Sequence, residues 1–276
     1  EVTVALLPEP EKKSVILAGF RQVTDAGNAV ASIIGAGIIP AGMEMMDKLA
    51  VEAAEQFAHA GYPLDAAAIL IIELDGAAAE LDAVTHQVIG HLQACGAYQI
   101  DQADDAQTQA RLWKGRKSAF PAVGRLSPDY ICMDGTIPRH KLAQVLTQID
   151  TLSKAYDLAV ANVFHAADGN LHPLILFDAN VPGQTDHAMA MGSEILRCCV
   201  AAGGTVTGEH GVGVEKLDTM CVQFTAEELD QFFRIKDAMD PSGILNPGKG
   251  IPTLTRCGEL GGMHVHKGRL PFPELE

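Results

Sequence analysis

Between residues 129 and 207 the apolar pattern reads strand, helix, strand, strand, helix, strand, an order that leaves a chain few ways to fold. The strands are expected at 129–134, 158–165, 171–177 and 204–207. The helices are expected at 138–155, with Pro138 in the first turn, and at 184–202, closed by Gly203 and Gly204. This β-α-β-β-α-β order is the split βαβ, or ferredoxin-like, unit. The first part repeats it with one helix added: strand 13–19, helix 24–36, strand 38–45, helix 46–60, strand 67–74, helix 76–95 and a short strand at 97–100. A further helix ends near Ser118, and "FPAVGRLSPD", with two prolines and a glycine, reads as a loop or boundary. The expected class is therefore α+β. Two ferredoxin-like βαββαβ units, about 13–118 and 119–207, share a mainly antiparallel sheet with helices on one face. A last helix is marked in "TAEELDQFFRIKDAMD" by the capping box of Thr225 and Glu228 and the stripe Leu229, Phe232, Phe233 and Met239. Segments 1–12 and 240–276 have no partner sheet and read as ends that pack on something else.

With 47% hydrophobic and 20% charged residues, 276 positions are enough for a sizeable core. Lysine and arginine number 20 against 35 acids, a net charge of −15 that argues against a general binder of nucleic acid or anionic membranes. Apolar runs such as "AAAILII" are far too short to cross a bilayer. The chain opens on Glu1 without a recognisable signal peptide, and reads as a piece of something longer. Six cysteines form no C-x-x-C pair and read as reduced thiols in a cytoplasmic protein, so any redox centre must be supplied from elsewhere.

Three stretches carry the chemistry. In "VFHAADGNLHPLILFD" (163–178), a two-residue Asp168-Gly169 turn would pair positions whose numbers sum to 337. His165 and His172 would then face one another with Cβ atoms about 5 Å apart, able to share one divalent cation. A surface hairpin that happens to carry two imidazoles remains the alternative. In "GGTVTGEHGVGVEK" (203–216), five glycines surround Glu209 and His210 and let backbone approach a ligand closely. Glu209 could complete a His-His-carboxylate set, with His210 beside it as general base. The alternatives are a phosphate cradle, which the central negative charge disfavours, or a plain turn. In "RLWKGRKSAFPAVGR" (111–125) five of the twenty basic residues fall together with no acid among them. Arg116 or Arg125 could clamp a carboxylate there, unless the segment is only a solvated helix end.

Taken together, "IIPAGMEMMD", "LWKGRKSAFPAVGRLSPDYICMDGTIPR", "HAADGNLHP", "TGEHGVGVEK", "MDPSGILNPGK" and "HVHKGRLPFPELE" resemble the C-terminal half of the FAD-linked 2-hydroxy-acid oxidases of the vanillyl-alcohol-oxidase superfamily. The resemblance covers essentially the whole chain. It implies that 13–239 form the cap, or substrate, domain, that 1–12 are the remnant of a preceding flavin-binding domain, and that 240–276 are a tail packing toward it. It implies oxidation of a short 2-hydroxy acid of the glycolate or D-lactate kind, with hydride transfer to FAD and a divalent metal, zinc or a similar ion. By the same resemblance His165, His172 and Glu209 hold the metal, His210 is the base, Arg116 binds the substrate carboxylate and Asn246 of "NPGK" contacts the cofactor. A sister flavin subunit and an iron–sulfur subunit are the implied partners, and peripheral attachment to the inner membrane would run through them. Departures are Ala166-Ala167 before "DGN", Met133 where hydroxyglutarate enzymes carry a substrate lysine, and Leu174 in place of an asparagine. Two other classes stay open on the residues alone: a metal-dependent hydrolase built on the same three ligands, and a non-catalytic assembly module.

Overall fold

A computed structural model describes residues 2–6 and 8–252, so most of the expected tail, 253–276, lies outside the described residues. The first unit runs β1 (Lys12–Phe20), α1 (Val23–Gly35), β2 (Gly42–Asp47), α2 (Lys48–Ala58), β3 (Ala68–Gly76), α3 (Ala78–Ala94) and β4 (Ala97–Ala103). Two helices, α4 (Ala106–Lys117) and α5 (Ala119–Val123), lead out of it. The second unit runs β5 (Asp129–Cys132), β6 (Gly135–Thr136), α6 (Leu142–Tyr156), β7 (Val160–His165), β8 (Asn170–Leu171), β9 (Pro173–Phe177) and α7 (Gln184–Ala201). After it come α8 (Leu217–Gln223) and α9 (Ala226–Met239), the latter opened by the expected Thr225–Glu228 capping box.

The strand order β4-β1-β3-β2-β7-β8-β6 makes one antiparallel sheet, with β9 continuing past β8 to pair with β7 and β5. Each unit keeps the ferredoxin-like arrangement, and the two meet edge to edge where β2 pairs β7, Glu44 opposite His165 and Met46 opposite Val163. This junction sets residues 121 positions apart in the chain side by side on neighbouring strands.

Four details differ from the expectation. Helices α1, α3, α6 and α7 cover one face around Ile16, Phe20, Leu70, Phe164 and Ile175, as foreseen. The other face, bearing Leu17, Ile71, Val163 and Leu174, is covered by α2, α4 and α5, so helices lie on both faces and not on one. Burial on both sides explains why β1 and β3 are continuous apolar runs with no polar face, a pattern that cannot report which side is covered. The expected loop after Ser118 contains α5, whose Ala119, Ala122 and Val123 are buried. Pro121 fits there because first-turn N–H groups have no intrahelical acceptor to lose. The fourth strand of the second unit shrinks to a single bridge, Thr136 to Thr205. A Cβ on Gly204 would run into the Thr136 carbonyl oxygen, so only glycine lets the chain come this close before it turns away. Cys95, Cys132, Cys198 and Cys199 are free thiols, while Cys221 is disulfide-bonded, against the reading of all six as reduced.

Candidate metal centre

The hairpin that carries the two histidines is wider than its Asp-Gly pair suggests. His165 pairs with Asn170, closing a four-residue loop in which the His165 carbonyl accepts the N–H of Asp168 at 3.2 Å and of Gly169 at 3.1 Å. Gly169 adopts a φ of +75°, and a Cβ there would run into the Ile137 carbonyl oxygen. Paired positions therefore sum to 335, as Asn162 with Pro173 also shows, and the two imidazoles are diagonal neighbours, not directly opposed. A slip of two residues leaves every side chain on its expected face, whereas a slip of one would have separated them. The rings meet edge to face with centroids 5.1 Å apart.

The third ligand arrives by a different device. Asp134, between β5 and β6, is fully buried and gathers the chain from Thr207 to His210 around its carboxylate. Its Oδ2 accepts the Thr207 hydroxyl at 2.9 Å and the N–H groups of Gly208, Glu209 and His210 at 3.0, 3.1 and 2.9 Å. The buried Lys216 ammonium completes the set, donating to Oδ2 at 3.1 Å and to the Asp134 carbonyl at 2.8 Å. Burial pushes the Asp134 pKa up, but hydrogen bonds from His172, the His210 N–H and Lys216 outweigh it and hold the carboxyl far below its usual range. Gly208 is required because a Cβ would strike Asn170 Oδ1 and Asp134 Oδ1.

Folded this way, the backbone aims Glu209 at the hairpin. Its Oε1 lies 3.3 Å from His172 Nε2 and 3.8 Å from His165 Nε2, and one ligand atom from each of the three residues lies within 4.8 Å of the others. Donors at about 2.0–2.1 Å from a tetrahedral cation stand roughly 3.4 Å apart, so the three fit one ion and leave a position open. Asp134, His172 and His210 form a second group of the same spacing. The Asp134 carboxylate is already saturated by its donors, so the group containing Glu209 is the better cage. His210 is half exposed, stacks on His172 at 4.9 Å and holds Nε2 3.6 Å from Glu209 Oε1. Phe120 of α5 packs edge-on against His172. A cleft of about 340 Å³ lined by Thr136, His165, Asp168, Asn170, Gly208 and Glu209 opens onto the cluster.

Arg116 reaches the same neighbourhood from α4, buried, but through an intermediary. Its Nε donates to Glu44 Oε2 at 3.0 Å, its Nη2 forms an ion pair with the same oxygen at 2.7 Å, and Glu44 Oε1 is 2.9 Å from His165 Nδ1. The Glu44 carboxylate pushes the His165 pKa up against the opposing effect of burial. Arg125 is not drawn in: it is exposed, its guanidinium 5.7 Å from the Phe57 ring centre, with no polar contact to the cluster among the described residues. Asn246 sits in an exposed loop at a φ of +47°, and that loop is tied to the 211–216 segment by Gly250 N–H to Gly213 O at 2.8 Å. Met133 is buried in the core against Gly192 of α7. Sequence reading missed Glu44, Asp134, Asn170 and Lys216. The only hint of Glu44 was an acid interrupting the apolar run "GMEMMD".

Fold and site together define a doubled ferredoxin-like domain bearing a candidate His-His-carboxylate metal centre at the edge of a hairpin. A sequence profile described as "FAD linked oxidases, C-terminal domain" matches residues 9–250, and the chain belongs to that family. It is 57% identical over 276 residues to the glycolate oxidase subunit GlcD of Escherichia coli (strain K12), covering 100% of this chain and 55% of that protein. It is 29% identical over 254 residues to the mitochondrial D-lactate dehydrogenase [cytochrome] of Arabidopsis thaliana, covering 91% of this chain and 44% of that protein. The chain thus spans about half the length of the curated relatives it matches. A crystal structure of p-cresol methylhydroxylase with substrate bound superposes with a TM-score of 0.68 at 16% identity, over 89% of this chain and 54% of that one, and shares the fold. No helix among the described residues is long and apolar enough to cross a membrane.

Proposed function

We propose that this chain is the substrate-binding half of an FAD-linked dehydrogenase that oxidises a short 2-hydroxy acid, glycolate or D-lactate, to the 2-oxo acid. The convergence of His165, His172 and Glu209 on one point carries the reading. The names of the relatives supply the substrate class. In this reading residues 13–239 are the cap domain, 1–12 belong with a flavin-binding domain, and 240–276 pack toward it.

His165 Nε2, His172 Nε2 and Glu209 Oε1 would hold a divalent cation, zinc or a similar ion, which lowers the pKa of a bound hydroxyl. FAD, held mostly by residues outside this chain, supplies a two-electron acceptor. Arg116 uses Nη1, which carries no hydrogen bond among the described residues, to orient the substrate carboxylate. His210 takes the hydroxyl proton at Nε2, and the Cα hydrogen leaves as hydride, so the substrate loses one proton and two electrons with the second hydrogen. Arg125 and Asn246 act at a greater distance, Arg125 on the approach of the anion and Asn246 at the cofactor. By analogy with a relative named as a subunit, a sister flavin subunit and an iron–sulfur subunit would accept the electrons, with the assembly cytoplasmic and attached peripherally to the inner membrane.

In the full-length protein, His210→Ala should abolish glycolate and D-lactate turnover with a dye acceptor while flavin absorbance is retained. Turnover within a few-fold of wild type removes His210 from this role. Elemental analysis that finds no stoichiometric metal, or turnover indifferent to prolonged chelation, removes the metal centre.

A further inference from the structure

Glu44 has no part in the proposed reaction, yet it stands between His165 and Arg116, which do. We infer that Glu44 is a positioning residue that fixes the tautomer and ring orientation of His165 and couples this metal ligand to Arg116. The inference rests on the proposed function, because it presumes a cation at the cluster.

The plain alternative is a buried ion pair that merely ties α4 to β2, since the side chains of Glu44 and Arg116 are only 12% and 9% exposed. The division of the carboxylate speaks against it. A guanidinium alone with a carboxylate frequently takes both oxygens in a parallel fork. Here only Nε donates a hydrogen bond, to Oε2 at 3.0 Å, Nη2 lies 2.7 Å from that same oxygen without a hydrogen bond of its own, and Oε1 is left for His165 Nδ1 at 2.9 Å. An acceptor at Nδ1 places the imidazole hydrogen there and leaves the Nε2 lone pair facing Glu209 Oε1, 3.8 Å away. His172 has no such support, since its Nδ1 is buried without a hydrogen-bond partner. The cluster therefore has one imidazole oriented through its Nδ1 and one with no acceptor at Nδ1, packed against Phe120 and His210 with its Nε2 3.5 Å from Asp134 Oδ1. Arg116 in turn offsets the Glu44 charge, so the carboxylate serves as hydrogen-bond acceptor without drawing the cation to itself.

The two members of the pair should then separate experimentally. Glu44→Gln removes the anionic acceptor from His165, whereas Arg116→Met breaks the same ion pair but leaves that acceptor in place. The measurement is a Co2+ titration of metal-free full-length protein against a chelating dye, with the Co2+ absorption bands and the thermal midpoint recorded for each variant. Glu44→Gln is expected to weaken Co2+ binding about 10–100-fold and alter the bands. Arg116→Met is expected to bind Co2+ at least as tightly as wild type while KM for the 2-hydroxy acid rises. Co2+ affinity of Glu44→Gln equal to wild type overturns the inference, as does equal weakening in both variants, which would mark the pair as structural. If Glu44→Gln does not fold, Glu44→Asp carries the test: its shorter carboxylate cannot reach both partners, and undiminished affinity again overturns the inference. Wild-type protein that binds no Co2+ at the cluster defeats the proposed function first, and this inference with it.

Discussion

Replacing Asp134 by asparagine tests the device that aims the third ligand. The carboxylate is fully buried, and its Oδ2 receives three backbone N–H groups, the Thr207 hydroxyl and the Lys216 ammonium. Asparagine keeps one acceptor oxygen of nearly the same size but turns the other into a donor, and it leaves the Lys216 charge buried with only neutral partners. Removing one member of a buried ion pair costs about 3–5 kcal/mol, and the lost charge-assisted bonds lie within that figure and do not add to it. Domain stabilities are about 5–15 kcal/mol, so the variant should fold but unfold at markedly lower urea. A double-mutant cycle separates the charge from the loop. Lys216→Met alone should also destabilise, and the double variant should lose at least about 1 kcal/mol less than the sum of the singles, because no unpaired charge remains. The Asp134 pKa is depressed, so its contribution is present above the unfolded value near 4 and is lost only as pH falls through the lower folded value. Urea unfolding at neutral pH is the assay, with metal binding measured beside it, since a loosened 207–210 segment should also release Glu209. A loss under about 1 kcal/mol for Asp134→Asn, or strictly additive losses, would refute the reasoning.

Asp47 should titrate in the opposite sense. Burial lifts its pKa from 3.8 to about 6 against the hydrogen bonds of Ala50 and Asn162, so the unfolded chain ionises first. Stability should fall by roughly 3 kcal/mol between about pH 4 and pH 6 and level off above. Asp47→Asn keeps an oxygen to cap α2 and should flatten that slope; parallel urea profiles for the two proteins would count against the assignment. Gly169→Ala forces a side chain into the left-handed region and against Ile137 O, which should cost about 1–3 kcal/mol and lower metal affinity by disturbing the hairpin. An unchanged thermal midpoint would show that the loop has room the structure does not give it.

The candidate ligands were legible because each depends on something local. A strand's period of two placed His165 and His172 on one face, and that conclusion survived an error of two in the register. The error arose because Asp168-Gly169 is a turn signal in isolation, while the width of this turn is set by Ile137, whose N–H donates to the Gly169 carbonyl at 2.9 Å. Glycines around Glu209 announced a close backbone approach but not what was approached. That is Asp134, at a sequence separation of 75 residues from Glu209.

By itself the sequence determined the order of the long strands and helices, the doubled unit, the capping box and the three side chains able to share a cation, since periodicity and turn chemistry act over a few residues. Tertiary structure alone decided that helices cover both faces, that β2 docks on β7, and hence that Glu44 stands between Arg116 and His165. Edge-to-edge pairing of two units is fixed by the burial of both sheet faces at once. That condition is shared among many residues on distant strands, and no single stretch of chain records it.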